Sequence, residues 1–229
     1  MFYGVDPLAE KYAPISPYAY VANNPLRFID PDGRRIVDSN GKVIFTREKG
    51  WANNAPEDAK RIGAAMLGTR TGREQFFNMV DAKHSITLNL SNETVVTSEG
   101  IVGGNAHIRA SVNPRTKEIG KIDKINITIY VGSLERILGQ EYSDGIGLLY
   151  IENAGNIDQA IGAAASHEAF HATNMENITH VLQNQAFGAS YDVENEPRRI
   201  ESQVLKEQGR QNRNMVPIKP FPARVNTHN

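Results

Sequence analysis

Three side chains in the segment Ala164–Asn174 have the types and the spacing of a hydrolytic metal site. His167 and His171 are four residues apart, so on a helix both imidazoles lie on one face and can bind a single ion. Glu168 is rotated by about 100° from His167, which places its carboxylate beside a water on that ion and not among the ligands. The pattern therefore predicts two metal ligands and a general base, the groups needed for hydrolysis by a metal-activated water.

A third protein ligand is expected, because catalytic zinc is normally held by three. The chain has no cysteine, so the ligand must be a histidine or a carboxylate. His180 is the nearest other histidine, but it lacks the glycine-spaced context of the three-histidine pattern. The acidic segment YDVENEPRRIESQVLKEQG offers Glu194, Glu196 and Glu201, and spacing alone leaves all three open.

Composition and charge limit the class of protein. The 229 residues are 40% hydrophobic and 22% charged, which is enough apolar material for one sizeable core. The formal net charge of -1 favours neither nucleic acid nor an anionic membrane as a partner. No apolar run approaches the roughly 18 residues of a membrane helix, and the N-terminus lacks the pattern of a secretory signal. We therefore expect no membrane insertion and no export by a cleaved signal peptide.

Periodicity and turn signals predict an α+β fold. A hairpin is expected over Ile36–Phe45, with Asn40 and Gly41 in its turn. Further strands are expected in the alternating segments SITLNLS, GNAHIRASVN and KINITIYVG. Helices are expected over APEDAKRIGAAMLG, TGREQFFNMVDAK and SLERILGQE, from their end signals and their apolar faces.

Two further helices carry the candidate site residues. The segment NIDQAIGAAASHEAFHATN holds both histidines and has Asn156 as its cap, and its small residues favour close packing on the sheet. A last helix is predicted over 193–208, with Asp192 as its cap and Gly209 as its end. Between the strands, the segment Ile101–Asn105 is predicted as a hairpin loop, since it lacks the residues of a phosphate-binding loop.

Residues 1–35 differ from the rest of the chain in being rich in turn formers. This segment resembles the end of the RHS-repeat-associated core domain of polymorphic toxins. The matching residues are Asp6-Pro7-Leu8, Ser16-Pro17-Tyr18, Asn23-Asn24-Pro25 and Asp30-Pro31-Asp32-Gly33. In that family a variable toxin domain follows such a closing step. The resemblance thus implies an RHS segment over 1–35 and a toxin domain over 36–229, which ends in an extended Pro-rich tail at 215–229.

The HExxH helix, followed by a helix of spaced glutamates, resembles the zincin-like metallopeptidase toxin domains found at RHS C-termini. The glutamates that match that pattern are Glu194, Glu201 and Glu207. In those domains the first of them is the third zinc ligand. The resemblance therefore implies Zn²⁺ held by His167, His171 and Glu194, with Glu168 as the general base. It also implies a small, mainly antiparallel sheet packed on the HExxH helix and on the following Glu-bearing helix.

The two resemblances together imply a zinc-dependent peptidase toxin that is the cargo of an RHS protein. Such a toxin would be delivered by a specialised secretion system without a signal peptide and would cut a protein inside the target cell. Its expected partners are that protein substrate, a cognate immunity protein and the RHS shell, with no nucleic acid. Two rival hypotheses are a non-catalytic or degenerate binding domain and a nuclease toxin. The absence of a strongly basic segment disfavours the nuclease.

Overall fold

The computed structural model describes residues 36–98, 100–116, 118–139 and 145–214. The predicted RHS segment, 1–35, and the Pro-rich tail, 215–229, lie outside these ranges. Within them the elements in chain order are β1 (Ile36–Val37), β2 (Val43–Thr46), β3 (Gly50–Trp51), α1 (Glu57–Leu67), α2 (Arg70–Val80), β4 (Ser85–Ser91), β5 (Val95–Thr97), β6 (Gly100–Val102), β7 (Gly104–Val112), β8 (Ile119–Tyr130), α3 (Val131–Leu138), α4 (Gly145–Asn153), α5 (Ile157–Thr173), α6 (Met175–Phe187) and α7 (Asn195–Asn214). None of these helices combines the length and the apolar character needed to cross a membrane.

Six strands form one mixed sheet in the order β3-β2-β1-β4-β8-β7, and β5 pairs separately with β6. β4 runs parallel to both of its neighbours, β1 and β8, whereas β7 runs antiparallel to β8 at the edge. The fold is mixed and compatible with α+β, but the expectation of a mainly antiparallel sheet is wrong at the sheet's centre. The parallel pair β1–β4 arises because α1 and α2 carry the chain back across the sheet before β4 begins.

Local sequence signals produce the predicted hairpin and the central strand. Gly41 has a φ of 80°, which a residue without a Cβ adopts at little cost, and Asp38 accepts hydrogen bonds from backbone amides in the same turn. On β8 the alternating residues Ile125, Ile127 and Ile129 are fully buried. Strand β8 therefore presents one continuous apolar face to the helices that cover the sheet.

Helix α5 lies at the centre of the molecule, against α1, α2, α7 and the strands β7 and β8. Its cap is the predicted one, because the side chain of Asn156 accepts a hydrogen bond from the amide of Gln159. A Cβ added to Gly162 would lie 2.6 Å from the carbonyl oxygen of Ala65. The small residues before the HExxH motif thus allow close packing on α1 as well as on the sheet.

Three parts of the helical structure differ from the sequence prediction. Helices α4 and α6 were not predicted, and both border the site described below. Helix α7 begins at Asn195 and does not end at Gly209 but continues to Asn214. The predicted stop is wrong because Gly209 packs directly against the side chain of Asn153 on α4, where a larger residue would not fit.

Candidate metal centre

Helix α5 carries three of the predicted site residues on its C-terminal half. Glu168 and His171 are buried, and His167 is half-buried. The four-residue spacing brings the Nε2 atoms of the two histidines to 3.2 Å from each other. The two imidazoles therefore converge on one point, as the helical spacing predicts.

Glu194 completes this group from the turn that precedes α7. Its Oε2 lies 3.2 Å from Nε2 of His167, and its Oε1 lies 3.3 Å from Nε2 of His171. Ligands about 2.1 Å from a tetrahedral zinc lie about 3.4 Å from one another, so these separations suit a shared ion. Within the described ranges, this is the one group of His, Cys, Asp or Glu whose ligand atoms lie close enough to hold a metal ion together.

The other two candidates for the third ligand occupy different positions. Glu196 is exposed and pairs with Arg199 on its own helix, at 2.7 Å. Glu201 does approach His167, but its Oε2 faces Nδ1, the ring nitrogen on the far side from Glu194, at 3.2 Å. Glu194 is therefore the one glutamate of the three that lies beside both Nε2 atoms.

Each imidazole is also held through its second nitrogen. Nδ1 of His167 faces the carboxylate of Glu201, and Nδ1 of His171 lies 2.8 Å from Oδ1 of Asn177. The amide nitrogen of Asn177 donates to the carbonyl of Val193 at 2.7 Å, which identifies the oxygen as the atom that faces His171. Such partners fix the ring orientation and leave Nε2 as the nitrogen that could bind a metal ion.

Sequence reasoning missed two of the residues that support the ligands. Asn177 lies six residues after His171, and nothing in the local pattern distinguishes it from a surface asparagine. Tyr150 lies on the unpredicted helix α4, and its hydroxyl donates to Glu201 at 2.5 Å. Only the position of α4 beside α7 reveals that contact, so no local signal could have found it.

Glu168 is 7% exposed and lies against the first residue of β7. A Cβ built on Gly104 would lie 2.8 Å from Cγ of Glu168 and 3.0 Å from its Oε1, so only glycine leaves room for the carboxylate here. Burial raises the pKa of Glu168, although the nearby His167 and His171 act to lower it. A raised pKa suits a carboxylate that must both accept and release a proton near neutral pH.

The carboxylates create a strong local attraction for positive charge. Burial by itself lowers the pKa of His167, but its hydrogen bonds with Glu194 and Glu201 outweigh burial and raise the pKa to about 10. The hydrogen bonds with His167 and His171 hold the pKa of Glu194 well below its usual range. The same groups that retain a proton on His167 would attract a metal cation in its place.

A cavity of about 750 Å³ lies over these residues. The segment Ile101–Asn105 forms part of its wall; the predicted hairpin loop there is in fact the junction between β6 and β7. A hydrogen-bond donor near a hydrolytic metal can stabilise the transition state, and Arg198 borders the cavity. Two other side chains able to donate, His180 and Tyr191, stack on each other with ring centroids 4.1 Å apart and do not line the cavity.

Comparison of the chain with protein-family models, with curated proteins and with solved structures finds no match. The functional assignment therefore depends on the geometry of the site. That geometry consists of a His-His-Glu group able to hold a metal ion, a buried carboxylate beside it, and a cavity bordered by all four residues.

Proposed function

We propose that this chain is a zinc-dependent peptidase of the HExxH type, on a zincin-like scaffold. The observation that carries the proposal is the convergence of His167, His171 and Glu194 at separations of 3.2 to 3.3 Å, with Glu168 beside them. All four residues border one cavity, so a substrate could reach the ligands and the carboxylate together. Two ligands and the base come from one buried helix, which gives the arrangement the rigidity that catalysis requires.

The donor set favours zinc over the other common protein metals. Two imidazole nitrogens and one carboxylate oxygen form a set that catalytic zinc sites use, with a fourth position left for water or substrate. Calcium and magnesium instead prefer sites made of oxygen atoms alone. A zinc ion held here supplies a Lewis acid that acidifies a water and polarises the carbonyl of a peptide bond.

The protein's own residues would then perform the binding and the proton transfers. Glu168 accepts the proton of the attacking water and passes it to the leaving amine, a role to which its raised pKa is suited. The paired carboxylate of Glu201 and the amide of Asn177 hold the two imidazoles in the orientation for binding. Arg198 borders the same cavity and carries the positive charge that would stabilise a developing oxyanion.

The biological role that we propose comes from the resemblance of residues 1–35 to the end of an RHS core. On that basis the peptidase is a toxin cargo that cuts a protein in a competing cell after delivery by a specialised secretion system. The producing cell would need an immunity protein, and the simplest one would occupy the cavity over the metal centre.

The proposal is tested by metal content and peptide cleavage in the same preparations. We expect about one zinc per wild-type chain purified without chelator, and cleavage of a pool of synthetic peptides followed by mass spectrometry. His167→Ala and His171→Ala should lose both properties. Glu168→Gln, which keeps the shape of the side chain, should retain the zinc and lose roughly 10²- to 10⁴-fold in cleavage rate.

Four results would contradict the proposal. Folded wild-type protein without zinc would show that the HExxH pattern is a coincidence. Zinc binding without cleavage of any peptide would favour the binding-domain hypothesis, and cleavage of added DNA would favour a nuclease. Unchanged peptide cleavage in Glu168→Gln would remove the assigned base.

A further inference from the structure

A buried pair of polar side chains, Tyr150 and Glu201, lies on the Nδ1 side of His167, whereas Glu194 lies on its Nε2 side. Tyr150 of α4 is 2% exposed and Glu201 of α7 is 8% exposed. The tyrosine hydroxyl donates to Oε1 of the glutamate at 2.5 Å, the short distance typical of a hydrogen bond to a charged oxygen. Both groups are withdrawn from bulk water, so each depends on the other for its hydrogen bonding.

The second oxygen of the same carboxylate faces a metal ligand. Oε2 of Glu201 lies 3.2 Å from Nδ1 of His167. An imidazole that donates its Nδ1 proton to this carboxylate keeps a lone pair on Nε2, the atom beside Glu194 and His171. The carboxylate thus selects the tautomer that can bind a metal.

We infer that Tyr150 is a positioning residue of the metal centre, which acts through Glu201 on the ring orientation and tautomer of His167. A carboxylate this deeply buried requires more than one donor, and the phenol is the donor that lies on the side away from the histidine. Without the hydroxyl, Glu201 loses the contact that holds Oε1 in place, and its second oxygen is no longer fixed against Nδ1. The inference rests on the proposed metal centre, but not on the peptide-cleavage step.

The position of α4 supports a specific role for the hydroxyl beyond packing. The far end of α4 is already fastened to α7, since Asn212 donates a hydrogen bond to the carbonyl of Asn153 and Gly209 packs on the side chain of Asn153. The helix pair therefore does not depend on the phenol alone. Replacement of Tyr150 by phenylalanine keeps the aromatic ring in the core and removes one hydroxyl.

Zinc affinity provides the test, measured by competition with a chelating dye on the full chain. We expect Tyr150→Phe to bind zinc roughly 10- to 100-fold more weakly than wild type, as is usual for outer-shell substitutions. Glu201→Gln should weaken zinc binding at least as much, because an amide nitrogen facing Nδ1 favours the wrong tautomer. The double variant should match Glu201→Gln alone, since both changes act through the same carboxylate.

A spectroscopic readout and a matched control separate this role from a general loss of structure. The visible absorption spectrum of the Co²⁺-substituted protein should change in Tyr150→Phe, because the geometry of the His167 ligand changes. Tyr191→Phe removes a hydroxyl from an exposed tyrosine that stacks on His180, and it should behave as wild type in both measurements. Circular dichroism of the metal-free proteins verifies that all variants fold.

The possible results distinguish the inference from the metal centre itself. Wild-type affinity and an unchanged Co²⁺ spectrum in Tyr150→Phe would overturn the inference and leave the metal centre in place. Additive losses in the double variant would overturn it as well, because they would show that the two residues act independently. A wild-type protein that binds neither zinc nor cobalt would overturn the metal centre and the inference with it.

Discussion

Replacement of Gly104 by alanine tests the assignment of Glu168 without touching a metal ligand. The added methyl carbon would lie 2.8 Å from Cγ and 3.0 Å from Oε1 of Glu168, and 3.0 Å from Cδ1 of Ile129. Gly104 is not among the glycines with positive φ, so its backbone conformation accepts alanine. The substitution therefore acts through the space beside the carboxylate and not through backbone strain.

The size of the effect follows from these distances. Nonbonded carbon atoms prefer separations of about 3.5 to 4.0 Å, so the glutamate must retreat by several tenths of an ångström to about 1 Å. Ile129 is fully buried in the sheet, so its side chain is confined on the other side of the added methyl group. A displacement of about 1 Å at a catalytic group costs on the order of 100-fold in rate. We expect kcat/KM to fall roughly 10- to 100-fold, which corresponds to about 1.4 to 2.8 kcal/mol in the activation barrier.

The assay is cleavage of the peptide pool, with zinc content measured on the same samples. Gly104→Ala should retain about one zinc per chain, as expected for a catalytic site whose three ligands are untouched. Gly103→Ala is the matched control, because its methyl would approach Leu134 and Ala164, at 3.2 and 3.6 Å, and not Glu168. A wild-type rate of cleavage by Gly104→Ala would refute the assigned role of Glu168. Loss of zinc from this variant would show that the substitution does not act on Glu168 alone.

Three further substitutions probe the ligands and the fold around them. Glu194→Gln should weaken zinc binding by more than the roughly 10- to 100-fold of an outer-shell change, measured by chelator competition, because it removes the charged ligand. Asn177→Ala leaves Nδ1 of His171 without its 2.8 Å partner, so zinc affinity should fall roughly 10-fold or more; an unchanged affinity would show that the amide does not orient the ring. Glu207 accepts hydrogen bonds from the amide and hydroxyl of Thr71 at the start of α2. Partial burial acts to raise the pKa of Glu207, but these bonds lower it on balance, so the charged form stabilises the folded state at neutral pH. Glu207→Gln should cost about 1 kcal/mol in urea unfolding at pH 7, and the difference should disappear as the pH falls through the lowered pKa of the folded protein and the wild-type carboxyl is protonated; a difference that persists in strong acid would contradict this.

Most elements could be predicted from local signals, and the two missed helices show where such signals fail. The interior of α6 contains β-branched residues and asparagines that weaken its helical pattern. Its ends were nevertheless marked, by the cap residue Asn174 and by Gly188 with a φ of 64°. Helix α4 is apolar on average, and its apolar residues are not confined to one face, so the sequence shows no amphipathic period. Its contacts with α3 and α7, on the face that buries Gly147, Tyr150 and Asn153, hold it in place, and those with α7 are distant in sequence.

The pairing of the strands depends on contacts that are distant in sequence. The alternation in SITLNLS indicates which residues share a face, but it does not identify the neighbouring strand. In the fold Ile86 pairs with Ile125 in a parallel register, across a separation that includes three other strands. The same alternation would suit an antiparallel partner equally well, which is why the prediction for the sheet was wrong at its centre.

The candidate metal ligands also depend partly on local and partly on tertiary information. Two of them are fixed by the four-residue spacing of one helix, and this spacing is visible in the sequence. The choice among Glu194, Glu196 and Glu201 depends on how α7 and the turn before it lie against α5, which the spacing of the glutamates does not determine. In the observed packing Glu194 lies beside both Nε2 atoms, Glu196 is exposed to solvent, and Glu201 lies at Nδ1 of His167.

The two halves of the centre are supported by different helices, and this arrangement links metal binding to their packing. His167 is connected through a carboxylate to α7 and α4, whereas His171 is connected through Asn177 to α6 and to the backbone beside Glu194. A cation between the imidazoles and Glu194 would therefore fasten four helices to one another. Because a ligand that binds only the folded state adds about 2.7 kcal/mol at 100 times its Kd, the zinc-bound protein should be the more stable form. That stabilisation would fall mainly on α4, α6 and the start of α7, since these elements and the turn before α7 carry Glu194 and the side chains that support the two imidazoles.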